Sequence, residues 1–585
     1  MKNKIFTTIM LLVILQETVF AQMGVNSTGA VPASSAMLDV SSTTKGFLPP
    51  RMTTAQRTAI ASPVAGLIVF DTTLNQLYIF SNGNWVTVAA PSYPRLSSDA
   101  IDALPSPQTG DLAYDLTFKC LKHYNGKAWL CTNQDPCNIS PNSTAWAALG
   151  TGSAQIANAV TVDSQGNFYM TGQFGGTTTF GTISLTASGN GNIFVAKYNS
   201  SGIVQWALKA QGSGTFDRGT AIKLDVAGNV YVTGTFTNTA TFGSISVTSA
   251  GGNDIFVAKY NNLGVVQWVQ RAGGTGNDYS NGLSFDPVNN VYIVGSFENQ
   301  ATFGTTTLIS AGGSDIFVAK CDNATGAFQI ANRAGGVGSD VATAIDINSG
   351  GTICVTGYFS GTATFSSTSL VSAGNTDIFL TTYLPASNIW IQSFRMGGTS
   401  GDVANAIVME TGTSNYYIAG GFTDVISFPT STGSNTVTSS GAMDIFVAKF
   451  AFAGGSPSNV WVQRSGGTGG EVANGLALDN SGNVYVTGKF THTATFGSTT
   501  LVSEGMEDIF TMKYGTNINN NAGIFKWVQK NGGISFDTGN SIACDANNNV
   551  YVAGSFIGKM CFGSTVLNSG TGFNNYDIFV GRLKE

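Results

Sequence analysis

Two acidic positions recur along the chain, and their type and spacing make them the residues best suited to chemistry. The first position is held by Asp217, Asp278, Asp340, Asp402, Glu471 and Asp537. The second is held by Asp254, Asp315, Asp377, Asp444, Asp508 and Asp577. One copy of the pattern has amides at both positions, Gln155 and Asn192. Because both acids are lost together there, the sequence predicts that the two positions share a partner.

Two interpretations of these acids are open. Carboxylates combined with backbone carbonyls are ligands that Ca²⁺ accepts, so a structural Ca²⁺ in six copies is one interpretation. Aspartate also caps the backbone amides of loops, which requires no cofactor. We favour capping, and we expect no cofactor other than this Ca²⁺.

Catalytic groups other than carboxylates are scarce. The chain has two histidines, His123 and His492, and neither has a Ser or Cys partner motif close by. This argues against a Ser-His-Asp triad and against a histidine metal site. The acids are spread evenly over the copies and do not form one catalytic pair. We therefore expect no catalytic residues and no enzymatic activity.

A second charge pattern lies elsewhere in each copy. The acids are Asp163, Asp225, Asp286, Glu410, Asp479 and Asp545, and the bases are Lys197, Lys259, Lys320, Lys449, Lys513 and Arg582. In one copy both charges are absent, and Asn348 and Thr382 replace them. Joint loss is what a structural ion pair predicts, because removing one partner of a buried pair is costly.

The segments that carry these charges are short apolar runs typical of β-strands. The run related to D-I-F-V-A-K-Y starts, in copies one to seven, at Asn192, Asp254, Asp315, Asp377, Asp444, Asp508 and Asp577. The preceding run, V-Y-V-T-G-x-F, starts at Phe168, Val230, Val291, Ile353, Tyr416, Val484 and Val550. One further apolar run precedes these two and another follows them. The unit of four runs recurs roughly every 60–70 residues. Four antiparallel strands in each of seven copies predict an all-β fold, a seven-bladed β-propeller.

The fourth run of each copy carries an aromatic residue, but the last copy lacks this run. The aromatic residues are Trp206, Trp268, Phe328, Trp390, Trp461 and Trp527. A spare run of this kind, residues 144–149 around Trp146, precedes the first copy. We predict that it pairs with the last strand and closes the propeller of residues 144–585, which would leave no open edge.

The first 137 residues do not show the strand pattern of the repeats. Residues 1–21 have a basic start, an apolar core and a cleavage site near Ala21, which predicts a signal peptide. Residues 22–90 and 91–137 form two related modules, since Pro50–Trp85 aligns without a gap with Pro94–Trp129. Each module predicts a short helix and two strands, a small α+β unit that must pack on another surface.

The seven cysteines allow disulfides in an oxidising compartment. Cys120 and Cys131 flank the turn Asn125-Gly126 symmetrically, so a two-residue loop would place them opposite each other, and a bridge between them is open. We interpret Cys321, Cys354, Cys544 and Cys561 as small apolar residues in or beside strands.

Composition limits the partners. Charged residues make up 10% of the chain and the net charge is −6, which excludes the basic surface that nucleic acids require. No later stretch is long and apolar enough for membrane insertion. We expect a protein that is secreted or held at the extracellular cell surface, with the periplasm as an alternative.

The motifs D-x-x-G-N-V-Y-V-T-G, A-T-F-G and D-I-F-V-A-K-Y-N-x-x-G-x-x-x-W resemble the bacterial secreted β-propeller repeat, or SBBP repeat, over about residues 144–585. The resemblance implies an exported β-propeller and transfers no catalytic residues. The two front modules resemble tail-fibre-like trimerising segments of exported bacterial proteins. That likeness implies a homo-oligomer formed through residues 22–137.

Three functions fit these observations. The first is a non-catalytic exported protein for binding or adhesion, whose surface of Ser, Thr and Asn suits a glycan or protein ligand. The second is a secreted carbohydrate-active enzyme with its site at the mouth of the propeller channel. The third is a purely structural, oligomerising surface module. We favour the first, and we expect the ligand to contact loops where the copies differ.

Overall fold

The computed structural model describes residues 23–25, 38–40, 49–81, 83–87, 94–96, 100–101, 104–108, 111–115, 120–124, 129–131, 144–189, 191–212, 214, 216–453, 456–516, 523–563, 565–569 and 576–583. The predicted signal peptide, residues 1–21, lies outside this set. The chain divides into two compact units, residues 1–94 and residues 95–585. Within the described ranges, no helix combines the length and the apolar character needed to cross a membrane.

The two N-terminal modules share one strand order, as their sequence repeat implies. The strands of the first are Arg51–Met52, Ile68–Asp71, Gln76–Ser81 and Asn84–Thr87. Those of the second are Arg95–Leu96, Leu112–Asp115, Cys120–Tyr124 and Trp129–Cys131. In each module the first two strands are parallel and the others antiparallel. Two short strands, Met23–Val25 and Leu38–Val40, pair in parallel ahead of them.

A short helix, Thr54–Thr58, is fixed to the first module by its cap and by an ion pair. Thr53 and Gln56 form a capping box at its start, which satisfies amides that have no partner within the helix. The Arg57 guanidinium lies 2.9 Å from the Asp71 carboxylate, and both side chains are buried. The helix therefore anchors to the second strand of its own module.

The predicted register of the second hairpin is wrong. Cys131 lies opposite Lys122, and Trp129 lies opposite Tyr124, so Cys120 and Cys131 are not directly opposite each other. The equivalent hairpin of the first module has the same register. The turn itself, with Asn125 and Gly126, lies outside the described residues.

The four cysteines in or beside the repeat strands differ in whether they form a disulfide. Cys321, Cys354 and Cys544 are not in disulfides, and the first two are buried. Cys561 is disulfide-bonded. The interpretation of Cys561 as a small apolar residue is therefore wrong.

Each repeat folds as antiparallel strands that are hydrogen-bonded in chain order. The first strands are Thr144–Val162, Arg218–Leu224, Asp278–Phe285, Val341–Ile347, Asp402–Met409, Val472–Leu478 and Asp537–Cys544. The second strands are Phe168–Phe180, Val230–Phe236, Val291–Phe303, Ile353–Phe359, Asn415–Pro429, Val484–Phe490 and Val550–Phe556. The third strands are Asn192–Tyr198, Asp254–Tyr260, Thr306–Cys321, Asp377–Leu384, Ser434–Ala453, Asp508–Thr516 and Asp577–Leu583. The fourth strands are Val204–Gly212, Val266–Gly274, Phe328–Gly336, Ile389–Met396, Ser456–Gly467 and Gly523–Gly533.

An outer hairpin between the second and third strands, which the sequence analysis missed, joins neighbouring copies. It contains the A-T-F-G segment, and in copy two Phe242 pairs with Ala210 on the fourth strand of copy one. Phe496 of copy six pairs with Ser465 of copy five in the same way. Its separate strands are Ile183–Thr186, Thr239–Phe242, Ile245–Thr248, Thr362–Phe365, Thr368–Val371, Thr493–Phe496, Thr499–Val502, Lys559–Phe562 and Thr565–Asn568. Each hairpin covers an edge that would otherwise be open to pairing with another chain.

A hydrogen bond links each first strand to the next, and we call these bonds the first-strand belt. The donors are the side chains of Asn158, Thr220, Asn281, Thr343, Asn405, Asn474 and Asn540. They donate, in that order, to the carbonyls of Gly219, Ser280, Ala342, Ala404, Ala473, Gly539 and Ala157 at 2.5–3.0 Å. The final bond runs from copy seven back to copy one.

The segment before copy one pairs with the last strand of copy seven. Thr144 lies opposite Leu583, and Gly150 lies opposite Ile578. These are the strand neighbours that the sequence predicts for residues 144–149.

The apolar core lies between neighbouring copies. One cluster combines Tyr169 and Val195 of copy one with Val232 and Phe256 of copy two. Another combines Val160 and Ala196 of copy one with Tyr551 and Val580 of copy seven. Strands buried on both faces explain why these runs are almost wholly apolar and do not alternate.

The strand ladders correct the predicted aromatic position of the fourth strand. Trp268 in copy two lies opposite the third-strand lysine. The same place, opposite the equivalent third-strand residue, falls on Ile330 in copy three and on Ile391 in copy four. Phe328 lies two residues before it and Trp390 one residue before it, so the interpretation of these two as equivalents of the other tryptophans is wrong.

Deleting residues 144–149 should destabilise the whole repeat unit, because the last strand would lose its neighbour. We expect thermal unfolding to shift down by roughly 5 °C or more, measured by circular dichroism at pH 7. Replacing residues 144–149 with the sequence of residues 525–530 should restore most of the loss, because the strand is supplied again. A deletion that melts like the intact chain would contradict the pairing.

Candidate functional site

The two recurrent acids meet across neighbouring copies. At Gly273, which has no Cβ, an added Cβ would lie 2.7 Å from Asp254 Cγ and 2.8 Å from Asp278 Oδ2. The second-position residue of each copy thus faces the first-position residue of the next. The pairs are Asn192 with Asp217, Asp254 with Asp278, Asp315 with Asp340, Asp377 with Asp402, Asp444 with Glu471, Asp508 with Asp537, and Asp577 with Gln155. We call these seven contacts the acid junctions.

The two amides of copy one belong to different junctions. Gln155 Nε2 donates to Asp577 Oδ1 at 3.1 Å, whereas Asn192 lies beside Asp217. The predicted shared partner within one copy is therefore wrong. Each amide instead replaces one acid of a separate pair, which leaves a single carboxylate at two of the junctions.

The acids cap loops, as the favoured interpretation predicts. Among the first-position acids, Asp278, Asp340, Asp402, Glu471 and Asp537 each accept a backbone N–H four residues upstream, at 2.6–2.9 Å. Among the second-position acids, Asp254, Asp315, Asp377, Asp444 and Asp508 do the same at 2.7–3.0 Å. These bonds fix the loops on one end of the strands.

A basic side chain on the fourth strand accompanies every junction that has two acids. The contacts are Arg271 with Asp254 at 2.6 Å, Arg333 with Asp315 at 2.7 Å, Arg395 with Asp377 at 2.6 Å, Arg464 with Asp444 at 3.0 Å and Lys530 with Asp508 at 4.0 Å. At the two junctions with an amide, the equivalent residues are Lys209, whose amine donates to the Thr186 carbonyl, and Leu149. One cation beside two buried carboxylates leaves one negative charge to be neutralised.

Protonation can supply that neutralisation. Burial, and to a smaller extent the charge of Asp254, raises the pKa of Asp278 to about 7. Burial likewise raises the pKa of Asp340 to about 7 and that of Glu471 to about 7. Asp254 Oδ1 and Asp278 Oδ1 have no hydrogen-bond partner among the described residues. A proton shared between facing carboxylates satisfies both oxygens, as in other carboxylate pairs.

The second charge pattern forms a looser contact than predicted. The amine-to-carboxylate distances are 3.8 Å for Lys320 with Asp286, 3.7 Å for Lys449 with Glu410 and 3.9 Å for Lys513 with Asp479. These exceed hydrogen-bond distances. In copy six, the Lys513 amine lies 4.9 Å from the centre of the Tyr485 ring, and the Tyr485 hydroxyl donates to Asp479. The tyrosine of the second strand therefore mediates the pair, which the sequence analysis did not recognise.

A channel of about 380 Å³ is lined by the first strands of all seven copies. Lys223 and Asp346 are the charged residues among its lining side chains within the described part of the chain. The Lys223 amine lies 3.1 Å from Asp346 Oδ1, and Asp346 also accepts from the Ser284 hydroxyl and the Met409 amide. The equivalent residues of copies five to seven are Val408, Ala477 and Ala543.

The sequence analysis missed this pair, although a signal was present. Lys223 and Asp346 each lie two residues before the acid or amide that follows the first strand, in a run that is otherwise apolar or small. A charge at that place points into the channel. It also breaks the sevenfold repetition, which is where a specific contact is expected.

The fold is all-β and built from β-propeller repeats. The family described as "Beta-propeller repeat" matches residues 267–296 and 460–489. The family described as "Phage tail like trimerisation region" matches residues 24–93. The chain therefore carries SBBP repeats behind an N-terminal region of the phage-tail-like trimerising type, as its motifs indicate.

An uncharacterized WD repeat-containing protein of Acanthamoeba polyphaga mimivirus is 25% identical over 467 residues, which is 64% of this chain and 32% of the viral protein. The chain thus spans about a third of that relative's length. Among solved structures, a quinohemoprotein alcohol dehydrogenase of Pseudomonas putida HK5 is similar at 10% identity, covering 75% of this chain and 76% of that one, with a TM-score of 0.35. A PL25 ulvan lyase is similar at 11% identity, covering 71% and 92%, with a TM-score of 0.34.

Replacing Asp278 with Asn should stabilise the protein at high pH. Because burial raises the folded-state pKa of Asp278 from an ordinary value near 3.8 to about 7, its contribution is fully present below pH 4 and is lost as the pH rises through about 7. The amide does not titrate. We expect the melting temperature of Asp278→Asn to exceed that of the wild type by roughly 1–3 °C at pH 8, with no gain at pH 4.

The control for this comparison is Asp322→Asn. Asp322 lies in a loop outside the junctions, and hydrogen bonds from Thr325 lower its pKa. The substitution removes the same charge and should give no gain at pH 8. An equal gain in both variants would show that net charge, and not the junction, is responsible.

Adding Ca²⁺ should leave the melting temperature unchanged, because each two-acid junction already holds a basic side chain. The measurement is a thermal melt with Ca²⁺ raised to about 5 mM, above the dissociation constants of most extracellular calcium modules. A sample treated with a chelator gives the baseline. A saturable rise in melting temperature would favour the alternative of a structural Ca²⁺.

Proposed function

We propose that this chain is an exported, non-catalytic binding protein that recognises an extracellular glycan or protein. The scaffold of the proposal is a seven-bladed propeller, residues 144–585, closed by the strand around Trp146. Its binding face is the one on which the first strands end. The observation that carries the proposal is the Lys223–Asp346 pair, the single charged contact among the described residues of the channel lining.

The channel wall offers polar groups that suit reversible binding. The Lys223 side chain is 42% exposed and Asp346 is 12% exposed, so the amine is open to a ligand while the carboxylate holds it in place. Hydrogen bonds to charged groups contribute roughly 1.5–3 kcal/mol each. A ligand hydroxyl or carbonyl that displaces water from this amine gains affinity without any chemical step.

The carboxyl groups that could catalyse hydrolysis are poorly placed for it. The junction acids are fully buried, at 0–1% exposure, so a polymer cannot contact them. In the described residues, no group of three His, Cys, Asp or Glu side chains comes together as a metal site. Binding at the channel needs only the polar groups described above. The alternative, a secreted carbohydrate-active enzyme, would need further catalytic groups.

The match at residues 24–93 to a trimerisation region favours a second element of the proposal, a homo-oligomer formed through residues 22–137. Several propellers on one stem bind a repetitive surface more tightly than one propeller, because the later contacts are intramolecular. Export through a signal peptide at residues 1–21 delivers the protein to such a surface. The proposal needs no cofactor, nucleic acid or membrane insertion.

Replacing Lys223 with Met should weaken binding, because it removes the exposed amine and keeps the length of the side chain. The measurement is co-sedimentation of the full chain with cellulose, chitin and peptidoglycan, and capture on immobilised matrix proteins. We expect retention on at least one polymer and about tenfold weaker binding for Lys223→Met.

The matched control is Lys209→Met, which removes a lysine amine outside the channel. It should bind as the wild type does. Absence of retention on every polymer would overturn the proposal. Release of soluble fragments from a polymer would also overturn it, in favour of an enzyme.

A further inference from the structure

On the face on which the first strands end, a tryptophan seals the gap between some neighbouring copies. In copy two, the Trp268 indole N–H donates to the Asn323 carbonyl of copy three at 3.1 Å, and its ring covers Gly326 of that copy. Trp206 makes the same contact with the Asn262 carbonyl at 3.2 Å. The tryptophan ring fills the space between the fourth strand of one copy and the loop of the next.

Copy four departs from this arrangement at every position that contributes to the seal. Asn348 replaces the acid, Cys354 replaces the tyrosine and Thr382 replaces the lysine, and Ile391, next to Gln392, lies opposite Thr382 in place of a tryptophan. Trp390 cannot compensate, because its indole N–H donates to the Arg333 carbonyl of copy three. The tryptophan of copy four therefore faces the preceding copy.

The result is a cavity of about 380 Å³ between copies four and five. Its walls include Asn348, Thr382, Tyr383 and Gln392 of copy four and Met409 of copy five. Its volume lies within the range of small-ligand pockets, roughly 300–1,000 Å³. None of the described residues that line it carries a charge.

The backbone at this cavity is held in an unusual conformation. Gln392 has a φ of 51°, a left-handed conformation that costs a residue other than glycine roughly 1–3 kcal/mol. The ladder bulges beside it, between Leu380 and Thr382. Strain of this kind persists where surrounding structure fixes it, and it orients the Gln392 amide, whose Oε1 accepts from the Thr382 hydroxyl at 3.3 Å.

We propose that this cavity binds one uncharged sugar unit of the polymer that the protein recognises. The Gln392 amide and the Thr382 hydroxyl match the donors and acceptors of a pyranose ring. Asn348 forms the polar wall beside them, and its Oδ1 accepts from the backbone amides of Gly350 and Thr352. Ile391 and Met409 provide apolar surface for its C–H groups. An acidic or phosphorylated sugar does not fit, because a charge enclosed here would have no counter-charge. This inference rests on the proposed binding function.

The cavity adjoins the channel. Asp346, which pairs with Lys223 in the channel, accepts a hydrogen bond at 2.9 Å from the backbone amide of Met409, and Met409 lines the cavity. Asp346 lies on the strand Val341–Ile347, and Asn348, which lines the cavity, directly follows the end of that strand. A glycan chain seated in the cavity can therefore extend toward the Lys223 amine.

The test restores the repeat pattern in copy four with the double substitution Asn348→Asp and Thr382→Lys. These residues place a carboxylate and an amine in the cavity, as in copy three, where Lys320 lies 3.8 Å from Asp286. Binding of maltotriose, cellotriose, triacetylchitotriose and trigalacturonate to the full chain is measured by isothermal titration calorimetry. We expect at least one neutral trisaccharide to bind the wild type, trigalacturonate not to bind, and the double variant to bind at least tenfold more weakly.

The matched control makes the reverse exchange in copy three, Asp286→Asn with Lys320→Thr, and should keep wild-type affinity. The melting temperature of each variant shows that it is folded. Binding of trigalacturonate, failure of every neutral trisaccharide to bind, or unchanged affinity in the double variant would overturn the inference. If the inference fails but the chain is still retained on a polymer through Lys223, the proposed function stands. If a trisaccharide binds but no polymer retains the chain, the proposed function alone is overturned.

Discussion

The structure depends on one contact repeated around the channel, the hydrogen bond from the side chain of each first strand to the main chain of the next. The first-strand belt holds the innermost strands at a constant separation. A short polar side chain is required, because Asn or Thr reaches the next carbonyl while an apolar residue would leave it unpaired, at a cost of roughly 1–3 kcal/mol. The outer strands, the acid junctions and the outer hairpins all take their spacing from this belt.

The acid junctions show how a repeated fold handles charge at the boundary between copies. Two carboxylates cap two loops and one basic side chain contacts one of them, and burial raises the pKa of the other carboxyl, which favours its neutral form. At the two junctions with an amide, Gln155 donates to Asp577 and Asn192 accepts from the Ser188 amide, without the second carboxylate charge. Copies one and seven thereby meet through Gln155 and Asp577, a pairing different from that of the interior copies.

Much of the fold could be predicted from the sequence, because the strand pattern is local and repeats. The order of strands within a copy and the strand neighbour of residues 144–149 followed from apolar runs and turn residues alone. The partners of the acids could not be predicted, because Asp278 contacts a residue of the preceding copy and nothing in the linear spacing distinguishes that from a contact within its own copy.

The contacts of the candidate site also could not be predicted from the linear sequence. Ile391 lies opposite Thr382, and Gln392 lines the cavity beside it, because the ladder bulges there, and a bulge of one residue has no reliable sequence signature. The sequence analysis interpreted Trp390 as the equivalent tryptophan and therefore did not recognise that copy four differs at this place. The Lys223–Asp346 pair was visible as two charges in apolar runs, but its meaning required knowledge that both residues face one channel.

The outer hairpin has a consequence for how the protein is made. Since each hairpin pairs with the fourth strand of the preceding copy, no copy is completed by its own residues, and a growing chain always ends on an uncovered edge. Residues 144–149 pair only with residues at the far end of the chain. A protein assembled in this order presents an uncovered strand edge throughout synthesis, so folding only once the whole chain is available would protect it from pairing with neighbouring chains.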